Sequence, residues 1–239
     1  MCTNYQSTKK DALGPVFALK KPLDGEWKNE VWQDYQAPII VHNARRDREA
    51  VLANYGMVPK AKMPPGIKRY STMNARAETI GELRSFAKPW REGRLCLIPM
   101  ACFFEPCYES GKAERYCIAL KEISNFAVAG IYREWAEEDG MPSFSFSQIT
   151  INADAHSVMR RFHKPGEEKR SLVILAADEY DDWLSCKNPE YARSFLQLFD
   201  AELMTATLAV NKQNQSNKPA NKPAGEPKKL QVDTQGQLF

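Results

Sequence analysis

The stretch RLCLIP at residues 94–99 has the branched and apolar composition that is typical of a buried β-strand. Comparable segments recur along the chain and predict further strands at residues 115–120, 126–132, 144–152, 171–176 and 205–210. Helical periodicity predicts helices at residues 77–87, 153–162, 178–185 and 189–198. Because strands outnumber helices and few form regular strand-helix-strand units, the sequence predicts an α+β fold with an antiparallel or mixed sheet.

Composition and charge exclude several classes of protein. The chain has 239 residues, of which 43% are hydrophobic, and this is enough for a packed core. No apolar run approaches the ~18 residues of a membrane-spanning helix, and the first ten residues lack the apolar segment of a secretory signal. We therefore expect a cytoplasmic protein without membrane contact, with its six cysteines as reduced thiols.

The net charge of +3 comes entirely from residues 211–239, which have five lysines against Glu226 and Asp233. The rest of the chain is electrically balanced, so binding to nucleic acid must depend on local basic patches. The sequence contains neither a Gly-x-Gly-x-x-Gly motif nor a Gly-Lys-Ser/Thr phosphate loop. We expect no nucleotide cofactor, and no cofactor of another kind is indicated.

Cys2 carries the most distinctive chemistry. Aminopeptidases remove Met1 when the next side chain is small, which would leave an α-amine and a thiol on adjacent carbons. The amine, with an ordinary pKa of ~7.7–8.0, condenses with an aldehyde to an imine, and the thiol then closes a thiazolidine ring. The alternative is that Cys2 is simply a small residue after the start, and position by itself does not decide between the two.

Several short motifs occur in order along the chain: Asn-Ala-Arg-Ala-Glu-Thr at residues 74–79, Arg-Leu-Cys-Leu-Ile-Pro at 94–99, Phe-Phe-Glu at 103–105, Ala-Gly-Ile-Tyr at 129–132, Ile-Thr-Ile-Asn-Ala at 149–153 and Phe-His at 162–163. Together with Met1-Cys2, they resemble the SOS response-associated peptidase (SRAP) family. The resemblance implies a single domain over residues 1–210. It also implies a curved, barrel-like, mainly antiparallel sheet with peripheral helices.

The resemblance also implies a function, which is covalent capture of abasic sites in single-stranded DNA during the DNA damage response. Cys2 would be the nucleophile, Asn74 would position it, Glu105 would act as acid and base, and His163 would assist proton transfer at the sugar. Such chemistry suits these side chains, because sugar opening, water loss and ring closure each move a proton. The apolar residues before Glu105 predict its partial burial, although a strand-end glutamate in water is the alternative.

Candidate DNA contacts come from two basic segments. Residues 50–77 contain no acidic residue and include Lys68, Arg69, Tyr70 and Arg76, and Arg160 and Arg161 precede His163. Basic side chains bind phosphate, and aromatic side chains stack on unpaired bases. Only Arg76 lies inside a family motif. Elsewhere the chain departs from the family, with Cys-Thr-Asn at residues 2–4 replacing the usual Cys-Gly-Arg, so the preferred DNA geometry is left open.

Residues 211–239 form a separate region in the sequence. Asn, Lys, Pro and Gln dominate it and Asn-Lys-Pro-Ala occurs twice, so we expect a disordered tail. Its last five residues resemble the Gln-x-x-Leu-Phe peptide that binds the bacterial DNA polymerase sliding clamp, through Gln235, Leu238 and Phe239. We therefore expect a clamp partner and a nucleoid-associated bacterial protein.

Two other functions are compatible with the sequence. Cys2, His163 and Glu105 could form a thiol peptidase that cleaves an amide, including the Met1-Cys2 bond, provided an oxyanion hole exists. Lyase activity at the abasic sugar is a related option. Zinc binding by Cys96, Cys102, Cys107 and Cys117 is the weaker alternative, because their spacing matches no common zinc pattern, and we expect no metal and a monomer.

Overall fold

The computed structural model describes residues 2–209, so the predicted tail and its clamp-binding residues lie outside the described part of the chain. The strands are β1 (Tyr5–Ser7), β2 (Glu30–Val31), β3 (Gln36–His42), β4 (Arg48–Tyr55), β5 (Asn74–Arg76), β6 (Leu95–Cys107), β7 (Glu114–Leu120), β8 (Phe126–Trp135), β9 (Ser143–Asn152), β10 (Arg170–Leu172), β11 (Ile174–Leu175) and β12 (Met204–Leu208). The α-helices are α1 (Lys10–Phe17), α2 (Ala87–Arg91), α3 (Tyr180–Ser185) and α4 (Pro189–Ala192). None of the helices in residues 2–209 is long and apolar enough to cross a membrane.

Five strands close on themselves in the order β8-β9-β4-β3-β6, because β6 also pairs with β8. The long strand β6 makes this closure, with Leu97 opposite Ile40 of β3 on one side and Ala129 of β8 on the other. Its second half extends beyond the barrel and pairs with β1 and β7. Within residues 2–209 the parallel pairings are β4 with β9 and β5 with β9, and the remaining pairings are antiparallel. The predicted α+β class with a barrel-like, mainly antiparallel sheet is confirmed.

Alternation along the strands divides the apolar side chains between two cores. In β6, Cys96 and Ile98 face the barrel interior, whereas Leu97 faces the outer layer between the sheet and the helices. In β8, Gly130 lies against Ile98 and Cys96, and a Cβ there would come within 2.7–2.9 Å of their side chains. The absence of a side chain at residue 130 of β8 therefore leaves room in the narrow barrel for the side chains of Cys96 and Ile98 from β6. Trp183 of α3 caps the outer core and donates from Nε1 to the Cys96 carbonyl at 2.9 Å.

The prediction of a helix at residues 77–87 is wrong, because these residues form successive turns before α2. The backbone groups of Ala77 have partners elsewhere: its N–H donates to Thr150 O at 2.9 Å, and its carbonyl accepts from Arg193 at 2.7 Å. The helix predicted at residues 153–162 is wrong as well, except for a 3₁₀ turn at Met159–Arg161. There the His156 ring accepts the N–H groups of the residues that follow it, which takes the place of a helical ladder.

The other predicted elements agree better with the structure. The strands predicted at residues 115–120, 126–132 and 144–152 fall within β7 to β9, and the one predicted at 94–99 lies in β6 from Leu95 onward. The strand predicted at 171–176 is divided into β10 and β11, and the one predicted at 205–210 corresponds to β12, with its last residue outside the described part of the chain. The helix predicted at residues 178–185 is α3 with a preceding 3₁₀ turn, and α4 covers only the start of the helix predicted at 189–198. Strands β1 to β5 and helices α1 and α2 were not predicted.

Candidate active site around Cys2

Three side chains hold the backbone of Cys2 at the barrel interior. Its carbonyl oxygen accepts from Asn74 Nδ2 at 2.7 Å, from Gln148 Nε2 at 3.2 Å and from the Tyr55 hydroxyl at 3.4 Å. The Cys2 thiol donates to the carbonyl oxygen of Asn4 at 3.3 Å. The carbonyl oxygen and the thiol of Cys2 are therefore both held by hydrogen bonds.

Strand pairing explains why Asn74 and Gln148 meet. The two residues are direct partners in the parallel register of β5 and β9, and Gln148 Nε2 donates to Asn74 Oδ1 at 2.9 Å. This bond leaves the Asn74 Nδ2 free to donate to Cys2. Gln148 was not among the predicted site residues, although it is fully buried. The signal that could have identified it is an amide on the inward face of β9, two residues after the buried Phe146.

Glu105 and His163 form the second half of the site, with 3% and 5% of their surfaces exposed. His163 Nε2 lies 3.1 Å from Glu105 Oε2, but the two atoms lack the alignment of a hydrogen bond. Within the described residues, Glu105 Oε2 and both ring nitrogens of His163 have no hydrogen-bond partner. A buried polar atom without a hydrogen bond lowers the stability of the fold unless a ligand or water bonds to it, so Glu105 and His163 together can bind a polar ligand.

The backbone around His163 holds its ring in place. His163 adopts a φ of +66°, a left-handed conformation that is unfavourable for a residue with a Cβ. Its N–H donates to Pro106 O at 3.0 Å, and Phe162 forms a bridge with Cys107. These contacts tie residues 162–163 to the end of β6, directly after Glu105. The strain is thus maintained at the place where it brings the imidazole to the carboxylate.

Burial raises the pKa of the Cys2 thiol to about 12, and the negative charge of Glu105 adds to the effect. Burial also raises the pKa of the Tyr5 and Tyr55 hydroxyls well above their ordinary value. The Cys2 thiol is therefore protonated at neutral pH. Among residues 2–209, the hydrogen bond of this thiol goes to Asn4 and none joins it to His163.

Three of the arginines predicted to bind DNA are paired with carboxylates at the surface. Arg76 lies 2.6 Å from Glu168, and Arg161 lies 2.9 Å from Glu109. Arg69 is paired with Asp34 in the same way. The acidic partners neutralise these side chains in the free protein, so phosphate would have to displace them.

The other predicted DNA contacts are exposed. Lys68 and Arg160 have exposed side chains, and Tyr70 is 48% exposed. Lys68, Arg69 and Tyr70 belong to the segment between β4 and β5, which ends at the buried Met73 beside Asn74. The structure therefore brings Cys2, Asn74, Glu105 and His163 together and places this basic segment next to them in the chain.

A family model described as SOS response associated peptidase (SRAP) matches residues 1–215. The chain belongs to the SRAP family. Two similar proteins are the abasic site processing proteins YoaM of Bacillus subtilis (strain 168) and YoqW of Bacillus phage SPbeta. Each is 34% identical over 170 residues, which is 70% of this chain and 70% or 71% of the relative. A crystal structure of a protein from Bordetella bronchiseptica has a TM-score of 0.78 at 28% identity, covering 88% of this chain and all of the other.

In this SRAP domain the cysteines considered for zinc lie on two adjacent strands. Cys96, Cys102 and Cys107 are buried along β6, and Cys117 is half-buried on β7. In the part of the chain that the structure describes, no three His, Cys, Asp or Glu side chains come together as metal ligands.

Proposed function

We propose that this protein captures abasic sites in single-stranded DNA by a covalent bond to Cys2 after Met1 has been removed. The observation that carries the proposal is the arrangement around the buried Cys2. Three side chains donate hydrogen bonds to its carbonyl oxygen, and the nearby Glu105 and His163 have buried polar atoms without partners. The relatives named as abasic site processing proteins support the same substrate class. The outcome is protection of damaged single-stranded DNA in the DNA damage response.

The state of the thiol supports a definite order of steps. Because the Cys2 thiol is neutral, the α-amine attacks first, and its lone pair forms a C–N bond to the C1 aldehyde of the ring-opened sugar. The carbinolamine loses water to give an imine. The sulfur then adds to the imine carbon while its proton passes to the nitrogen, which closes the thiazolidine. One water is lost in the sequence from amine and aldehyde to ring.

Glu105 and His163 are the proposed proton carriers. Opening the sugar requires a base for its hydroxyl proton, and loss of water requires an acid for the leaving hydroxyl. Among the described residues, the unpartnered atoms of both side chains have no hydrogen bond that would compete with the substrate. Asn74 positions Cys2 and takes no part in proton transfer, because its amide donates to the Cys2 carbonyl.

The same observations argue against a thiol peptidase. A cysteine peptidase needs a thiolate activated by an adjacent imidazolium, and its thiol pKa is lowered. Here burial and Glu105 raise the pKa of Cys2, and His163 lies against the carboxylate. These features suit an amine nucleophile followed by a neutral thiol.

For the DNA itself, we propose contacts from the exposed segment and from the paired arginines. Lys68 and Arg160 would bind phosphate directly, and Tyr70 would stack on a base. Arg69, Arg76 and Arg161 would bind phosphate after exchanging their carboxylate partners.

The test is a denaturing gel of the protein with single-stranded DNA that contains one abasic site, together with intact mass. We expect a heat-stable band whose mass is that of protein without Met1 plus DNA minus one water. Cys2→Ala should abolish this heat-stable adduct, whereas Cys186→Ser should behave like the wild type. Peptide turnover without a DNA adduct, by protein that has lost Met1, would favour the peptidase.

We also propose that Gln235, Leu238 and Phe239 bind the bacterial sliding clamp. The support is the sequence match, in which a glutamine amide and two apolar side chains form a short anchor. Leu238→Ala with Phe239→Ala should abolish binding to purified clamp, and Gln237→Ala at the variable position should retain it. Equal binding by both variants would disprove the assignment.

A further inference from the structure

Trp32 lies on the surface directly after β2, and 43% of its surface is exposed. The residue before it, Val31, is fully buried in the barrel core and is the register partner of Tyr5 on β1. The residues on either side of Val31, which are Glu30 and Trp32, therefore point away from the barrel interior. The indole thus offers a flat apolar ring to a ligand at the surface.

The turn that carries Trp32 is held by hydrogen bonds to its neighbours. The N–H of Tyr35 donates to Trp32 O at 2.9 Å, and the N–H of Asp34 donates to Tyr55 O at 2.9 Å. Asp34 has a φ of +66°, a left-handed conformation that persists only where surrounding contacts maintain it. Tyr55 also donates from its hydroxyl to the Cys2 carbonyl at 3.4 Å, so this one residue links the turn to Cys2.

Arg115 of β7 reaches the same surface through Glu30. Its guanidinium is 3.6 Å from the centre of the Phe104 ring, and its Nη2 donates to Glu30 Oε1 at 2.5 Å. The same oxygen accepts from Asn4 Nδ2 at 2.7 Å, two residues after Cys2. Stacking on an aromatic ring orients the plane of the guanidinium. Because its hydrogen bonds within residues 2–209 use Nη2 alone and 36% of the side chain is exposed, the other N–H donors can bind an anion.

The charges beside Trp32 suit a polyanion. Arg69 and Arg115 are each paired with one carboxylate. Lys28 lies 4.4 Å from the centre of the Tyr35 ring and has no carboxylate partner within residues 2–209. An aromatic ring surrounded by basic side chains is the arrangement with which proteins bind single-stranded nucleic acid.

We propose that Trp32 stacks on a base of the single-stranded DNA beside the abasic site and that Arg115 binds the phosphate next to that base. This inference takes its substrate from the proposed DNA capture and adds the residues that hold the intact strand next to the lesion. Stacking is independent of sequence, because every base has a flat face. Glu30 is bonded to Arg115 and lies two residues before Trp32, so the two side chains are near each other.

The experiment measures the binding of undamaged oligothymidylate to the full-length protein by fluorescence anisotropy, in a Cys2→Ala background that forms no covalent bond. We expect Trp32→Ala to raise the Kd about tenfold, and Trp32→Phe to retain most of the affinity because it keeps a stacking ring. Tyr191→Ala, which removes an aromatic side chain that is 58% exposed on α4, should bind like the parent protein. Equal Kd values for Trp32→Ala and the parent would overturn the inference.

The salt dependence of binding tests Arg115. Arg115→Gln should reduce the slope of log Kd against log salt by about 0.7, the value for one phosphate contact with a single strand. Arg94→Gln is the matched control, because Arg94 is paired with Glu92 at 3.9 Å before the opposite end of β6, and its slope should equal that of the parent. An unchanged slope in a folded Arg115→Gln protein, with its Tm measured in parallel, would overturn the role of Arg115.

Capture of abasic DNA is measured separately in proteins that keep Cys2. At saturating DNA, Trp32→Ala should form the adduct at the wild-type rate, because the indole contributes to binding and not to the chemical steps. Absence of an adduct, together with undamaged DNA binding that depends on Trp32, would contradict the proposed capture and still support this inference.

Discussion

Replacing Gln148 by methionine tests whether this buried amide positions Cys2 for reaction. Methionine has nearly the same length and volume but cannot donate, so the bonds to Cys2 O at 3.2 Å and Asn74 Oδ1 at 2.9 Å are lost. Two neutral hydrogen bonds contribute about 1–3 kcal/mol in net terms. The variant also removes Gln148 Oε1, which is buried without a partner among the described residues and costs about 1–3 kcal/mol.

These effects on folding nearly cancel, whereas the effect on reaction does not. We expect the Tm of Gln148→Met to stay within about 4 °C of the wild type, since 1 kcal/mol moves the Tm of a domain of this size by about 2–4 °C. In the reaction, the carbonyl oxygen of Cys2 loses the hydrogen bond that Gln148 donates, and Asn74 loses the partner that orients its amide. A loss of about 1.4 kcal/mol of positioning corresponds to a tenfold slower reaction.

The assay is the single-turnover rate of adduct formation with abasic single-stranded DNA, followed on denaturing gels beside thermal unfolding. Tyr180→Phe is the matched control, because it removes a buried hydrogen bond to Ala127 N at 3.0 Å in the outer core, away from Cys2. We expect the control to lose about 1 kcal/mol of stability, at least as much as Gln148→Met, and to keep the wild-type rate. A folded Gln148→Met protein that reacts within twofold of the wild type would refute the positioning role.

Three further predictions follow from contacts at the barrel and its rim. Glu168→Gln should tighten binding to undamaged single-stranded DNA at low salt, measured by fluorescence anisotropy, because it releases Arg76 from its ion pair with Glu168 at 2.6 Å. Unchanged affinity would contradict a contact between Arg76 and DNA. The pKa of Cys2 rises from an ordinary 9 to about 12, so its contribution to stability is complete below pH 9 and is lost between pH 9 and 12. At pH 11 the wild type should therefore have lost about 3 kcal/mol of its free energy of unfolding through this thiol, and Cys2→Ser should not show that loss in urea unfolding. A similar alkaline loss in both proteins would contradict a buried thiol. Gly130→Ala should destabilise the barrel by about 1–3 kcal/mol in urea unfolding, because its Cβ would lie 2.7 Å from Ile98; a stability equal to the wild type would show that the strands have room to separate.

The strands with the strongest apolar patterns could be predicted from the sequence, and the remaining strands could not. Strand β6 and its partner β8 are continuous runs of apolar residues, because alternate side chains are buried in two different cores. Strand β5 has three residues and pairs only with β9, so no local pattern marks it. The helices predicted at 77–87 and 153–162 had suitable composition, but long-range partners took the backbone groups that a helix would use.

The site was partly predictable for a related reason. Cys2, Asn74, Glu105 and His163 were identified by order along the chain and family resemblance, and the structure brings all four to one end of the barrel interior. Gln148 was missed because an isolated glutamine in a strand has no sequence signature, and only the register with Asn74 gives it a role. The carboxylate partners of the basic residues were unpredictable too, since Arg76 and Glu168 are 92 residues apart.

The position of Cys2 favours an amine-first reaction over hydrolysis of a peptide. Burial removes water from the thiol and disfavours the thiolate, and the negative charge of Glu105 adds to this effect, so the pKa of the thiol rises to about 12. A processed α-amine suffers no such repulsion, because it is neutral or positive beside the carboxylate, and its ordinary pKa of ~7.7–8.0 leaves a reactive fraction at neutral pH. The thiol is needed only after the imine has formed, and at that stage a neutral S–H can deliver both sulfur and proton. Burial and the charge of Glu105 together disfavour a thiolate, and in the proposed reaction the same carboxylate carries a proton at the sugar, so the surroundings of Cys2 favour the amine-first proposal over the peptidase.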